Sequence, residues 1–162
     1  MNFSKKININ SCWGDPHCST FDNMKFDFMG ACKYDFVSTT CFNETLPSDL
    51  VAFNITQKQE TLNNPNGVAF IEYIEVNVFG NQYRLLKKKH NKHQFSVNGV
   101  IKPVPFNDNK NGLKVYVRGQ YLVFNADFGL TVRFDGVHRD DVKLSDKYAH
   151  HVCGLCGNAD GK

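Results

Sequence analysis

The chain has 162 residues, of which 41% are hydrophobic and 13% aromatic, and its formal net charge is +3. This composition excludes a disordered chain, and the length suits one domain with its own core rather than two. The modest positive charge does not by itself indicate a nucleic-acid partner. No stretch approaches the roughly 20 apolar residues of a membrane-spanning helix, and residues 1–9 lack the apolar region of a signal peptide.

Short alternating segments bounded by Gly, Asn or Asp recur from end to end, and they predict strands rather than helices. The first eight predicted strands lie at residues 17–21, 25–28, 33–38, 51–57, 71–79, 82–86, 95–97 and 100–101. Residues 22–24 read as a hairpin turn, and Asn98-Gly99 is a favoured hairpin dipeptide.

Residues 113–134 give the clearest strand signal. Val, Tyr, Leu and Phe dominate this block, and Gly119 and Gly129 mark the turns within it. We predict three consecutive antiparallel strands here, a loop at 61–67 and a single helical turn within 145–151. Roughly ten short strands with tight turns indicate an all-β fold, a two-sheet antiparallel β-sandwich in which each sheet buries one face against the other.

The chain has six cysteines, an even number that is compatible with three disulfide bridges. Asn-x-Ser/Thr glycosylation acceptors occur at Asn2, Asn43 and Asn54. Together these features favour an oxidising, extracellular setting, secreted or at the cell surface.

Two separated motifs carry a family resemblance. CWGDPHCSTFDNMKFDFMGACKYDF near the start and VCGLCGNADG at the end resemble the two signature segments of the von Willebrand factor type D domain, and residues 119–139 are similar to that family's strand block. We therefore expect an N-terminal tail at residues 1–10 and one such domain at 11–162. Its C-terminal calcium loop is expected to be truncated, because the family's further downstream acidic ligands do not occur in this sequence.

The resemblance implies a calcium ion as cofactor, bound where the GDPH segment approaches the loop after CGLCG. By position, Asp15 and Asp160 would supply carboxylates and Asn158 an amide oxygen, with a backbone carbonyl near Lys162. Hard oxygen donors of this kind suit calcium.

The resemblance also implies two disulfides, Cys12 with Cys156 and Cys41 with Cys153, which would staple the N-terminal strands to the C-terminal loop. Two further cysteines remain. Cys18 and Cys32 are predicted to pair with each other, or else one of them is left for another module.

The function implied is a non-enzymatic structural or interaction module of a larger secreted or surface glycoprotein, supporting adhesion or assembly. Its partners would be other domains of the parent protein and other extracellular proteins. A first alternative is a self-processing module that cleaves at Asp15-Pro16 under mild acid, with His17 delivering the proton. A second is the corresponding domain of a vitellogenin-like lipid carrier.

Three other patterns each allow a functional and a purely structural interpretation. Cys153-x-x-Cys156 could be a redox dithiol or, with His150 and His151, part of a zinc site, but the chain offers no clear activating group and no second such pair. Lys87-Lys88-Lys89 could bind acidic glycans, although such a run is more often a solvated hairpin tip. Asp140-Asp141 suggests an acid–base pair, but neighbours on a strand point to opposite faces.

Overall fold

The computed structural model describes residues 8–13, 17–22, 24–27, 33–40, 45–61 and 69–154. Within these ranges the chain forms fourteen strands and one short 3-10 helix. The strands are β1 (Asn8–Trp13), β2 (His17–Ser19), β3 (Lys25–Asp27), β4 (Lys33–Ser38), β5 (Phe53–Thr61), β6 (Ala69–Val78), β7 (Asn81–Lys89), β8 (Lys92–Val97), β9 (Val100–Ile101), β10 (Phe106–Asp108), β11 (Leu113–Arg118), β12 (Tyr121–Ala126), β13 (Leu130–Phe134) and β14 (Arg139–Leu144).

The strands form two sheets, and every pair of neighbouring strands is antiparallel. The middle of the chain folds as a six-stranded meander in the order β4-β5-β6-β7-β8-β9. The other sheet has eight strands in the order β10-β11-β12-β13-β14-β1-β2-β3, so it combines both ends of the chain. The joint is the pairing of β1 with β14, which runs from Asn8 opposite Leu144 to Trp13 opposite Arg139.

The core lies between the two sheets and follows from the period-2 alternation of each strand. In β13, for example, Leu130, Val132 and Phe134 are fully buried, whereas the two residues between them are only half-buried. Tyr83 and Phe95 of the six-stranded sheet are buried as well, and their rings stack nearly parallel. The Tyr83 ring also contacts Phe124 on β12 of the other sheet, with centroids 5.3 Å apart. The predicted two-sheet antiparallel sandwich is therefore confirmed.

Most of the predicted strands are confirmed, including the three in 113–134. The predicted hairpin at Asn98-Gly99 is confirmed too, because both residues have the positive φ angles, 50° and 83°, that a tight turn of this type requires. Three strands were missed: β1, β10 and β14. Their sequences, NINSCW, FND and RDDVKL, are too polar to stand out by composition.

The predicted helical turn is confirmed as the 3-10 helix Asp146–Tyr148, and its N-cap is Ser145. The predicted loop at 61–67 lies almost wholly outside the described residues, apart from Thr61 at the end of β5. No helix in the described part of the chain is both long and apolar enough to cross a membrane.

Candidate functional site

A disulfide joins the first two strands. Cys12 on β1 lies directly opposite Cys18 on β2, with a Cα–Cα distance of 4.2 Å, and the two sulfurs are bonded. The predicted pairs Cys12–Cys156 and Cys18–Cys32 are therefore wrong. The physical reason is the strand register: facing residues on adjacent antiparallel strands stand close enough to bond without any movement of the backbone.

Asp140 lies beside Cys12 of this disulfide, and its carboxylate is fully buried between the sheets. Asp140 faces Cys12 in the β1–β14 register, and its Oδ1 accepts a hydrogen bond from the Cys12 amide at 3.2 Å. Its Oδ2 accepts from Nε2 of Gln57, on β5 of the opposite sheet, at 2.8 Å. One side chain thus links the hairpin of β1 and β2, strand β14 and the six-stranded sheet.

Two glutamines extend this polar layer into the core. Gln57 and Gln59 are both fully buried, and Nε2 of Gln59 donates to Oε1 of Gln57 at 2.6 Å. Burial raises the pKa of Asp140 to about 7, and the nearby negative charge of Asp141 acts in the same direction, although the Gln57 hydrogen bond opposes it. Asp140 therefore changes its charge in the neutral range.

Asp141 faces the other way, as the alternation of a strand requires. It forms a salt bridge with Arg133 on β13, and the guanidinium carbon of Arg133 lies 4.4 Å from the centre of the Tyr121 ring. The prediction that the two neighbouring aspartates point to opposite faces is confirmed. They do not form an acid–base pair.

Residues 145–154, which follow β14 and are called the C-terminal segment below, are attached to the edge of the six-stranded sheet. Ser38 on β4 and Cys153 form an isolated antiparallel bridge with both backbone hydrogen bonds, at 2.9 and 3.0 Å. Cys153 is itself disulfide-bonded, so it offers no thiolate to a zinc ion. Cys41 follows Ser38 by three residues, but it lies outside the described residues, and the predicted Cys41–Cys153 bridge stays a prediction.

A buried tyrosine holds the same segment a second time. The hydroxyl of Tyr148 donates to the carbonyl of Val51 at 2.8 Å and accepts from its amide at 3.0 Å. The Tyr148 ring packs edge-on against Phe53, with centroids 5.4 Å apart. The segment after β14 is therefore part of the folded domain and not a trailing end.

Most of the predicted site residues lie outside the described residues, and their roles stay predictions. They are Asp15, Pro16, Cys32, Cys41, Asn43, Cys156, Asn158 and Asp160. His17 is exposed at the start of β2, and Asn54 is half-buried on β5. Among the residues that the structure does describe, no three His, Cys, Asp or Glu side chains are arranged to hold a metal ion.

The lysine run does not form one uniform cationic surface. Lys87 forms a salt bridge with Glu60, whereas the backbone of Lys88 donates to the carbonyl of Gly136 at 2.9 Å. Lys89 is exposed at the end of β7. Acidic-glycan binding through the three lysines stays a prediction, and it now rests mainly on Lys88 and Lys89.

Sequence reasoning missed the buried group formed by Asp140, Gln57 and Gln59. A signal existed, because Gln57 and Gln59 occupy the same face of a strand as the apolar Phe53 and Ile55. Polar residues on an apolar face are expected to find buried partners. Which partner they find depends on the opposite sheet, which no local pattern reveals.

Comparison with known proteins agrees with this architecture. The chain is 36% identical over 148 residues to human IgGFc-binding protein, 30% over 158 residues to mouse alpha-tectorin and 34% over 149 residues to human zonadhesin, which covers 91%, 96% and 92% of the chain. It spans only 3%, 7% and 5% of the lengths of these relatives. All three are secreted or surface proteins, and the predicted extracellular location is confirmed.

The profile of one family matches nearly the whole chain, residues 11–162. The match includes the disulfide hairpin, both sheets and the fastened C-terminal segment. The chain belongs to the von Willebrand factor type D domain family, as its two end motifs predicted.

Proposed function

We propose that this domain is a non-catalytic interaction module that supports adhesion or assembly within a larger extracellular glycoprotein. The observation that carries the proposal is the family match over residues 11–162, shared with relatives that are many times longer than the chain. Partners are then other domains of the parent protein and other extracellular proteins.

The fold supports such a role in mechanical terms. β1 pairs with β14 over six residue pairs, from Asn8–Leu144 to Trp13–Arg139, and this joins the two ends of the chain within one sheet. The backbone bridge between Ser38 and Cys153 fastens the C-terminal segment to the other sheet. A domain whose terminal segments are paired in this way can transmit tensile force between neighbouring modules without unfolding from its ends.

A bead assay tests the proposal. Beads coated with the domain, secreted from eukaryotic cells, are expected to cluster together or to adhere to extracellular matrix laid down by cultured cells. Beads coated with the reduced and alkylated domain are the control, because they carry the same sequence without the fold. Adhesion of the folded domain no greater than that of this control would contradict the proposal.

We further propose that a calcium ion orders the junction between the GDPH segment and the CGNADG loop. The donor set fits, since two carboxylates, Asp15 and Asp160, and the amide oxygen of Asn158 are the hard ligands that calcium prefers. When bound, the ion would neutralise these carboxylates and hold the two ends of the domain together.

Thermal unfolding with calcium, with magnesium and with a chelator tests the calcium site. A ligand that binds only the folded state raises the melting temperature, and a concentration of 100 times Kd stabilises by about 2.7 kcal/mol. We expect this rise with calcium, and we expect Asp160→Asn to abolish it while Asp146→Asn, at an exposed position, keeps it. An equal response of both variants would overturn the site.

A further inference from the structure

A groove lies at one end of the six-stranded sheet, formed by the start of β5 and the β6–β7 turn, and it contains one of the predicted glycosylation acceptors. Its volume is about 440 Å³, and Asn54 and Phe79 both line it. Asn54 points outward, because its neighbours Phe53 and Ile55 are buried in the core. The groove is therefore open to any group attached to Asn54.

Four residues with amide side chains line part of the groove, and we term them the amide row: Asn54, Asn77, Gln82 and Asn98. Asn54 faces Asn77 in the β5–β6 register, and Asn77 faces Gln82 in the β6–β7 register. Facing residues of adjacent strands lie on the same face of a sheet. Asn98 completes the row, since its Oδ1 accepts a hydrogen bond from the backbone N–H of Gln82 at 2.8 Å. At about 4.8 Å between strands, the amide row extends roughly 14 Å from Asn54.

Phe79 gives the groove an aromatic wall. Phe79 is 37% exposed and has a φ angle of 53°, a backbone conformation that residues other than glycine rarely adopt. One edge of the ring is held by a T-shaped contact with Phe128, at 5.9 Å between centroids. The remaining exposed surface is apolar and lines the groove together with Ala52, Phe53 and Val78, beside the amide row.

We propose that Asn54 carries an N-linked glycan and that the first sugars of this glycan lie in the groove, over the amide row and against Phe79. Amides donate and accept hydrogen bonds, as sugar hydroxyls and N-acetyl groups do, and the aromatic ring offers an apolar surface to the C–H face of a sugar. The occupant follows from the chain itself, because the acceptor asparagine is part of the groove.

The attachment chemistry is compatible with the folded contacts. The new bond joins Nδ2 of Asn54 to C1 of the first sugar and replaces one N–H bond. The proton is lost, and the lipid-linked diphosphate of the donor oligosaccharide is the leaving group. One N–H remains on Nδ2, and this group can still donate to Oδ1 of Asp35, which lies 3.4 Å away. Thr56, the third residue of the acceptor triplet, bonds to Glu75 once the chain has folded.

The test uses the chain secreted from eukaryotic cells, with Asn2→Gln and Asn43→Gln so that Asn54 is its sole N-glycosylation acceptor. Mass spectrometry of glycopeptides is expected to show a glycan on Asn54. The melting temperature of this form should exceed that of the same chain with Asn54→Gln by about 2–4 °C, the shift that roughly 1 kcal/mol gives in a domain of this size.

Phe79→Ala is expected to remove this difference in melting temperature between the glycosylated and unglycosylated forms. Val137→Ala is the matched control, since Val137 is an exposed apolar residue, 49% accessible, that does not line the groove. In the control the difference should persist. An unmodified Asn54 in the secreted, folded protein would overturn the proposal. An equal difference in melting temperature in Phe79→Ala and Val137→Ala would also overturn it, because it would indicate a glycan that extends into solvent.

Discussion

Ser38 and Cys153 exchange both of their backbone hydrogen bonds, although 115 positions separate them in the sequence. This contact makes the end of the described chain a neighbour of β4. It also brings Gly154 against the backbone of Asp35 and Phe36, where a Cβ on Gly154 would lie 2.7 Å from the carbonyl oxygen of Phe36. The glycine after Cys153 is thus required by space as well as by its φ angle of 115°.

Gly154→Ala is therefore expected to loosen the C-terminal segment from β4. Gly119→Ala is the matched control, because Gly119 also has a positive φ, 60°, but a Cβ added there would have no atom within 4 Å. Gly119→Ala carries the backbone strain of about 1–2 kcal/mol that a side chain meets in the left-handed helical region. Gly154→Ala carries the strain of its φ angle of 115° and adds the clash with Phe36. Urea unfolding should show the larger loss for Gly154→Ala, and a loss no greater than that of Gly119→Ala would refute the close approach.

The Cys12–Cys18 disulfide is expected to appear in a peptide map made without reduction. Chymotrypsin can cut after Trp13, between the two cysteines, so the two fragments should remain joined until a reductant is added. The pair Cys12→Ser with Cys18→Ser should lower the free energy of unfolding by about 2 kcal/mol, the value for a short closed loop. A map in which Cys12 is joined to Cys156 would restore the family-like pairing and contradict the hairpin disulfide.

Asp140 is expected to make stability depend on pH in the neutral range. Its pKa is raised to about 7 from an ordinary value of 3.8, so the folded state retains a proton that the unfolded state has released. Its contribution to stability is therefore full below about pH 4 and is lost as the pH rises through 7, by up to about 1.4 kcal/mol per pH unit.

Urea unfolding of the unchanged chain and of Asp140→Asn, from pH 5 to 8, measures this contribution. Asparagine keeps the acceptor for the Cys12 amide but cannot ionise, so the difference between the two curves should change with pH. Asp127→Asn, at an exposed position, should leave the profile unchanged. Parallel profiles for Asp140→Asn and the unchanged chain would show that Asp140 does not titrate in this range.

Glu75 is expected to make stability depend on pH in the opposite direction to Asp140. Burial alone would raise its pKa, but hydrogen bonds from Lys33, Asn77 and Arg84 outweigh burial and lower the pKa to about 2. Its salt bridges to Lys33 and Arg84 measure 2.7 and 2.9 Å. Their contribution is present above the ordinary pKa of 4.5 and is lost as the pH falls towards 2.

Glu75→Gln should therefore lower the free energy of unfolding at pH 7 by about 1–3 kcal/mol, since it removes charged hydrogen bonds from a buried position. Glu72→Gln, on the same strand but only half-buried, is the control and should change stability by less than about 0.5 kcal/mol. The loss for Glu75→Gln should shrink as the pH approaches 2. Equal losses for the two variants would mean that the contacts of Glu75 contribute little.

The sequence alone determined the all-β class, most of the strands and the family. Strand alternation is a local property, since successive side chains must face opposite sides, and it can be read in segments such as LTVRF at 130–134. The Asn98-Gly99 turn could also be predicted from the local sequence, because its two positive φ angles suit those residue types. The end motifs were recognisable for the same reason, as contiguous residues.

Only the tertiary structure decided which distant residues meet. Cys12 bonds to Cys18 because β1 and β2 pair in one register, and Asp140 reaches Gln57 because β14 and β5 lie in opposite sheets that face each other. The amide row is a third case, in which the pairing of strands aligns side chains that are scattered in sequence. These contacts depend on the packing of the whole domain, since no local pattern specifies strand register or the partner across a core.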